Sequence, residues 1–396
     1  MIRIYDKEFC TGCHACVSVC PRKCIVMGTD EEGFLYPKVD VGACIQCEAC
    51  VRVCPVLHPY EQHLPMKAYA SRHTDEDIRM LSSSGGIFTR LAEEVIRRGG
   101  VVFGARYDER WQVVHTWTDT LEGIACFRGA KYVQSIIGDT YRQARNFLRQ
   151  GKRVLFTGTP CQIAGLKHFL KMEYDTLLTV DVVCHGVPSP RVWQAYLDAI
   201  NPRHEPITAL TMRDKSRGWS RYRMEICTAE HSLYSGSAAR NVFSRGFLAD
   251  FYLRPSCHAC PAKQGKSGSD LTLGDFWDIA KISLSMDDDR GVSLVVIQSQ
   301  KGMNFCRALG VCQEEVTYGQ AVRSNPALER SAPLTSYRAE FWTRFPKEGM
   351  KVVRWLWWRK RVAHYFLSVI LNVVKNLKSI SWCKQILRDT QDDMIR

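Results

Sequence analysis

The sequence predicts three successive parts: a small α+β unit over residues 1–60, a larger α/β unit with a mixed sheet over 66–340, and a basic amphipathic helical tail over 347–396. Three observations predict this. Nine of the eighteen cysteines crowd into the first sixty residues, apolar stretches of strand and helix length alternate after Pro65, and aromatic and basic residues interleave from Met350 to Trp382.

A chain of 396 residues is too long for the small unit alone, so a second core must follow. With 45% hydrophobic and 24% charged residues the composition is that of a folded protein. The opening MIRIYDKEFC has no apolar signal core, so the expectation is a reducing cytoplasm, where clustered cysteines bind metal and scattered ones pack as small apolar groups. The net charge of +13 comes with no zinc-finger or other nucleic-acid motif. It is assigned instead to an acidic redox partner, an anionic small-molecule substrate or a membrane surface.

The first unit is an internal repeat. Cys10-Thr-Gly-Cys13-His-Ala-Cys16-Val-Ser-Val-Cys20-Pro21 is answered by Cys44-Ile-Gln-Cys47-Glu-Ala-Cys50-Val-Arg-Val-Cys54-Pro55, with a turn and short strand between them at Glu31–Pro37. In C-x2-C-x2-C-x3-C-P the first three thiolates surround one iron-sulfur cluster and the fourth ligates the other. By that rule Cys10, Cys13, Cys16 and Cys54 hold one 4Fe-4S cluster, and Cys44, Cys47, Cys50 and Cys20 the second, as in a two-cluster bacterial-type ferredoxin. Zinc is the alternative metal for tetrahedral sulfur sites, but it uses paired C-x2-C knuckles rather than triplets closed by Cys-Pro. Cys24 is left over and is expected to pack.

After a Pro- and His-rich linker the second unit begins. Ser82-Ser83-Ser84-Gly85-Gly86 leads into a helix over Ile87–Arg98, stopped by Gly99-Gly100, and a strand follows over Val101–Ala105. The alternation continues with helix Thr140–Gln150, strand Arg153–Thr157, helix Gln162–Lys171 and strand Leu177–Val183. It weakens after Ile200 through the basic segment Arg213–Arg223, then resumes with strand Leu294–Gln298 and helix Met303–Leu309. Neither G-x-G-x-x-G nor G-x4-G-K-[ST] occurs, which excludes the Rossmann and P-loop fingerprints.

Short loops at strand ends are where open α/β sheets bind ligands. Four stand out: Ser84-Gly85-Gly86, Arg128–Ser135 with Lys131 and Tyr132, Thr157-Gly158-Thr159-Pro160-Cys161-Gln162, and Val183-Cys184-His185-Gly186-Val187-Pro188. With Cys257-His258-Ala259-Cys260 and Asp270–Trp277, their order and spacing resemble the coenzyme F420 hydrogenase/dehydrogenase beta subunit family over roughly residues 66–320. The resemblance implies an iron-sulfur flavoprotein oxidoreductase that passes electrons between clusters and FAD to a soluble acceptor, coenzyme F420 or another small molecule. The fused N-terminal ferredoxin resembles a bacterial branch, in which the F420 partner is doubtful.

The resemblance implies a FAD site at Ser84, Gly85, Gly86, Lys131, Tyr132, Thr157, Gly158 and Thr159. The residues alone offer a helix N-terminus at Gly85-Gly86 for a pyrophosphate, or an ordinary capped helix. Lys131 serves the flavin or is a solvated lysine. Cys161, Cys184, Cys257 and Cys260 suffice for a third 4Fe-4S cluster and resemble the family's own, against a zinc knuckle or a redox dithiol. His185 and Lys131 are the catalytic candidates. His258 adjoins a proposed ligand. The loop Arg213, Lys215, Arg217 and Trp219 could receive an anionic, planar substrate, or be a solvated charged loop.

In the tail, the apolar run Val362–Val374 is too short to span a bilayer. A surface helix giving peripheral contact at the inner face of the membrane, and a helix packed on the main unit, are both compatible with it. Two other functions remain open: an electron-transfer subunit without its own substrate, and a peripheral membrane redox accessory of surface-polysaccharide biosynthesis, the latter implied by the bacterial relatives.

Overall fold

The computed structural model describes residues 1–311 and 313–362. Most of the predicted tail, including the run Val362–Val374 beyond its first residue, lies outside the described residues, as do Cys312 and Cys383.

The N-terminal unit has two short helices, α1 (Ala15–Val19) and α2 (Ala49–Arg52), and one antiparallel hairpin between them, β1 (Ile25–Thr29) and β2 (Leu35–Val39). Each helix starts on a left-handed residue, His14 or Glu48, in the middle of a cysteine triplet.

The second unit is built on an eight-stranded mixed sheet. Its strands are β3 (Lys67–Ser71), β4 (Val101–Tyr107), β5 (Val113–Thr118), β6 (Val154–Gly158), β7 (Leu177–Val182), β11 (Leu271–Asp275), β12 (Ser293–Ile297) and β13 (Glu314–Val316), in the order β13-β3-β12-β11-β7-β6-β4-β5. The central β4, β6, β7 and β11 run parallel, and the flanking strands pair antiparallel. Val154, Leu155 and Phe156 of β6 are all fully buried. A parallel strand covered on both faces reads as a continuous apolar run, which is why this strand is legible in the sequence.

The helices are α3 (Glu76–Leu81), α4 (Ile87–Arg97), α5 (Thr140–Arg149), α6 (Pro160–Leu170), α7 (Pro190–Ile200), α8 (Val242–Leu248), α9 (Gln300–Ala308), α10 (Tyr318–Ser324) and α11 (Tyr337–Glu348). Helix α4 packs Ile87, Leu91, Ala92 and Val95 on one face of the sheet, and α5 and α6 cover the other. The basic stretch where the alternation weakens is mostly the connection between the first two strands of a separate three-stranded antiparallel sheet, β8 (Ile207–Asp214), β9 (Arg223–Thr228) and β10 (Ser232–Ser237). Those strands leave many residues partly exposed, so no apolar run marks them.

The boundary expected at residue 347 falls inside α11. Phe341, Phe345, Val352, Val353 and Leu356 are buried in one core with α7, α8 and β9, so the described start of the tail is a helical extension packed on the second unit. Among the described residues no helix is long and apolar enough to cross a membrane.

The two units share a core. Cys13, Ala15 and Val53 of the first pack with Ile137, Tyr141, Ile163 and Leu166 of the second. Arg142 on α5 donates to the Val17 and Ser18 carbonyls at 2.7 and 2.9 Å, satisfying orphan groups at the end of α1. Arg338 grips the buried Glu32 carboxylate through both terminal nitrogens.

Candidate functional site

Cys10, Cys13, Cys16 and Cys54 line one small cavity. Cys20, Cys44, Cys47 and Cys50 line another, together with Cys24. The described cysteines form no disulfide. Among the described residues no three His, Cys, Asp or Glu side chains close on a point as one bound ion requires. Four thiols spread around a cavity suit a four-iron cluster, whose ligand set is four cysteines.

Burial pushes the Cys13 thiol up to about 12 and raises Cys16 and Cys54 as well. These thiols resist ionisation in the bare protein, so a cation must supply the stabilisation and its binding releases protons. Cys20 behaves differently. Burial works against its ionisation, but hydrogen bonds from the Cys24 thiol and nearby amides outweigh that and lower it. Cys24, 3.4 Å away, is pushed up to about 11, chiefly by the same hydrogen bond.

A third set comes from three distant segments. Cys161 lies in the first turn of α6, Cys184 follows β7, Cys257 lies within a short 3-10 turn over Pro255–Ala259, and Cys260 directly follows it. Cys161 is coupled electrostatically to Cys260, Cys184 and Cys257, and a Cβ on Gly186, two residues after Cys184, would lie 3.3 Å from Cys257 Cβ. Burial raises Cys161 well above the ordinary thiol, Cys184 to about 11 and Cys257 to about 12. The Val187 amide donates to the Cys257 sulfur at 3.4 Å.

Two of the strand-end loops, carrying Cys161 and Cys184, follow β6 and β7, and the Ser84 hydroxyl lies 3.4 Å from the Gly274 carbonyl near the end of β11. Gly86, with φ +85°, starts α4 where other residues would be strained. Gly85 has a packing reason of its own: a Cβ there would lie 2.5 Å from the Ser71 carbonyl oxygen and the Ser293 amide. The Ser84 hydroxyl donates to the Val292 carbonyl at 2.9 Å. Thr159 caps α6 in a reciprocal box with Gln162, and the Thr157 hydroxyl donates to the Phe103 carbonyl. Gly158 packs on the Gln162 side chain.

Lys131 is not a solvated lysine. Its ammonium donates to the Phe127, Arg128 and Gly129 carbonyls, and burial pushes it down to about 8. Tyr132 stacks on Phe247 with ring centres 5.3 Å apart, and Phe247 meets His185 edge-on at 5.5 Å. His185 Nε2 donates to the buried Asp250 carboxylate at 2.6 Å, a partner 65 residues away that no local signal announces. His258 Nδ1 lies 3.2 Å from the Ala332 carbonyl, which can only accept, so that nitrogen carries the proton.

The basic-aromatic loop is not a solvated loop either. Lys215 is buried against the Arg79, Ser84 and Arg290 carbonyls at 2.6 to 2.9 Å, and burial pushes it down to about 7. Trp219 stacks on Trp277 at 4.7 Å and donates to Asp275 at 3.0 Å. Arg213 pairs with Asp275 through one terminal nitrogen and lies over the Tyr222 and Trp277 rings, while its Nε and Nη2 are buried without a hydrogen-bond partner. Only Arg217 of the four is exposed.

The N-terminal hairpin-and-triplet architecture defines an iron-sulfur electron-transfer protein. Residues 9–57 match the model of the 4Fe-4S dicluster domain, and residues 151–316 match that of the C terminus of the coenzyme F420 hydrogenase/dehydrogenase beta subunit. No curated protein matches. One solved chain, from the xenon-derivatised F420-reducing [NiFe] hydrogenase complex of Methanosarcina barkeri, is 17% identical, with a TM-score of 0.44 over 67% of this chain and 89% of that one.

Proposed function

We propose that the chain is an iron-sulfur flavoprotein oxidoreductase: two N-terminal 4Fe-4S clusters and a third held by Cys161, Cys184, Cys257 and Cys260 carry electrons to FAD at the strand-end loops, which reduces a soluble acceptor of coenzyme F420 type or another small molecule. The observation that carries this reading is the convergence of four thiols from three separate segments at the strand ends. A redox dithiol needs only two of them.

The residues at the strand ends fit an anionic, aromatic cofactor. Two nitrogens of buried Arg213, Nε and Nη2, have no hydrogen-bond partner, which costs about 1 to 3 kcal/mol each unless a ligand accepts from them. Lys131 adds a partly buried cation, and Tyr132 and Trp277 offer ring faces. The α4 N-terminus after Gly86 adds amide donors that helix geometry leaves without intrahelical partners. Bound FAD would supply the exchange between one-electron carriers and two-electron chemistry. Asp250 holds His185 in the tautomer whose Nε2 is protonated, leaving Nδ1 as the nitrogen able to accept a proton at the site.

The test is the cofactor content of anaerobically purified chain. About twelve iron and twelve sulfide, with one flavin released on denaturation, is the expected result; about eight iron removes the third cluster. Protein that takes up no flavin after anaerobic reconstitution overturns the flavoenzyme reading and leaves an electron carrier without its own substrate. Hydride transfer to coenzyme F420 against other small acceptors then identifies the acceptor class.

A further inference from the structure

Arg254 is fully buried, with a side chain of which nothing reaches solvent. Its Nε donates to the Cys10 carbonyl at 2.7 Å, Nη1 to the Gln134 side-chain oxygen at 3.0 Å, and Nη2 to the Leu35 carbonyl at 2.9 Å and the Cys10 sulfur at 3.6 Å. The guanidinium also lies 4.2 Å from the Tyr36 ring centre. None of these partners is a carboxylate. A buried cation is costly without an opposite charge, and the group it touches is a cysteine of the first quartet. Thiolates around a cluster would provide that charge.

The two N-terminal quartets are placed unequally. The cavity of Cys20, Cys44, Cys47 and Cys50 is lined only by residues of the first fifty, and Cys47 is exposed. The other quartet faces the second unit. A Cβ on Gly165 would lie 2.8 Å from Cys13 Cβ and 3.0 Å from its sulfur. Gly165 is one helical turn beyond Cys161, a rise of about 6 Å. Arg254 itself stands three residues before Cys257. Two separate segments therefore link the first quartet to thiols of the third set.

We propose that the Cys10, Cys13, Cys16 and Cys54 cluster is the inner relay, exchanging single electrons with the Cys161, Cys184, Cys257 and Cys260 site, with Arg254 as its counter-ion and positioning residue. The Cys20, Cys44, Cys47 and Cys50 cluster is the outer one and meets a soluble one-electron donor. This rests on the reading that each quartet holds a 4Fe-4S cluster. Each transfer moves one electron with no bond made or broken. A cation at the inner cluster favours its reduced form and raises its potential above the outer one, so electrons entering at the surface run inward.

The experiment is a potentiometric titration of the full chain, followed by electron paramagnetic resonance, in wild type, Arg254→Gln, Arg254→Lys and Arg338→Gln. Arg338 also ties the two units but touches no cysteine in the structure. The expected result is a fall in the midpoint of one cluster in Arg254→Gln, a smaller fall in Arg254→Lys, and no change in Arg338→Gln. Loss of four iron from Arg254→Gln with the other cluster's signal intact supports the proposal equally. Unchanged midpoints in Arg254→Gln, or equal shifts in both clusters, overturn it.

A second measurement needs no variant. In wild type, an added soluble paramagnetic ion should speed the spin relaxation of the lower-potential cluster and spare the higher-potential one. The reverse order overturns the proposal. Wild-type chain with fewer than about eight iron would instead refute the cluster reading beneath it.

Discussion

The side chain of Cys13 rests directly on Gly165, so closely that a methyl group at 165 would lie 2.8 Å from Cys13 Cβ and 3.0 Å from the Tyr141 hydroxyl. Gly165→Ala in a helix interior would ordinarily gain about 1 kcal/mol. Here overpacking costs about 1 to 3 kcal/mol. The expected outcome is a less stable chain, by about 1 kcal/mol in denaturant unfolding of the anaerobic protein. A more stable variant would show that the face between the units yields.

Arg338 and Glu32 tie the same two units at another point. Their side chains are 14% and 11% exposed, so the pair is partly desolvated. Burial raises the Glu32 carboxyl, and the Arg338 guanidinium opposes that. Arg338→Ala leaves the carboxylate without its cation and should cost about 2 to 3 kcal/mol, whereas Arg338→Ala combined with Glu32→Gln should recover part of the loss. Unfolding midpoints of the two single variants and the double variant check this. Additive losses would show that the pair does not couple.

His115 predicts an acid limit. Its Nε2 donates to the Thr157 carbonyl at 3.0 Å, its Nδ1 is buried without a partner, and burial pushes the ring down to about 4. Between pH 6.5 and 4 the unfolded chain takes up a proton that the folded chain refuses. Stability is thus present in full above 6.5 and falls with pH, by about 3 kcal/mol at pH 4 from this residue. His115→Gln should lose less than wild type over that interval. Parallel curves for the two proteins would remove His115 as the cause.

Cys184→Ser should lower the iron content by about four per chain and leave the two N-terminal cluster signals unchanged, while Cys24→Ala should leave the count where it was. An iron count that falls in Cys24→Ala would make that cysteine a ligand. Because the buried thiols Cys13 and Cys257 ionise only near 12 in the bare protein, iron uptake by apo chain should release protons, measurable in weakly buffered solution.

The cysteine repeat is legible because its chemistry is written in spacings of two and three residues. The strands β6 and β7 and the helices α4 and α5 are legible through their periodicity. What joins them is not. Asp250 reaches His185 across 65 positions, Arg254 reaches Cys10 across 244, and Arg338 reaches Glu32 across 306. A lone arginine or aspartate carries no mark of such a partner. The sequence leaves Lys131 and Lys215 open between a ligand-facing and a solvated role; only the fold shows them capping backbone carbonyls. The β8–β10 sheet escapes notice because its strands are half exposed and bulged.

The segment between Cys54 and β3 is short and itself held down. Tyr60 lies against His168 with ring centres 4.6 Å apart, and Met66 pairs its amide with the Ile297 carbonyl at 2.8 Å. A carrier so anchored does not diffuse to its acceptor. Its local concentration is fixed by geometry rather than by abundance in solution, so added free ferredoxin should compete poorly for the inner exchange and salt should affect only the encounter at the outer face.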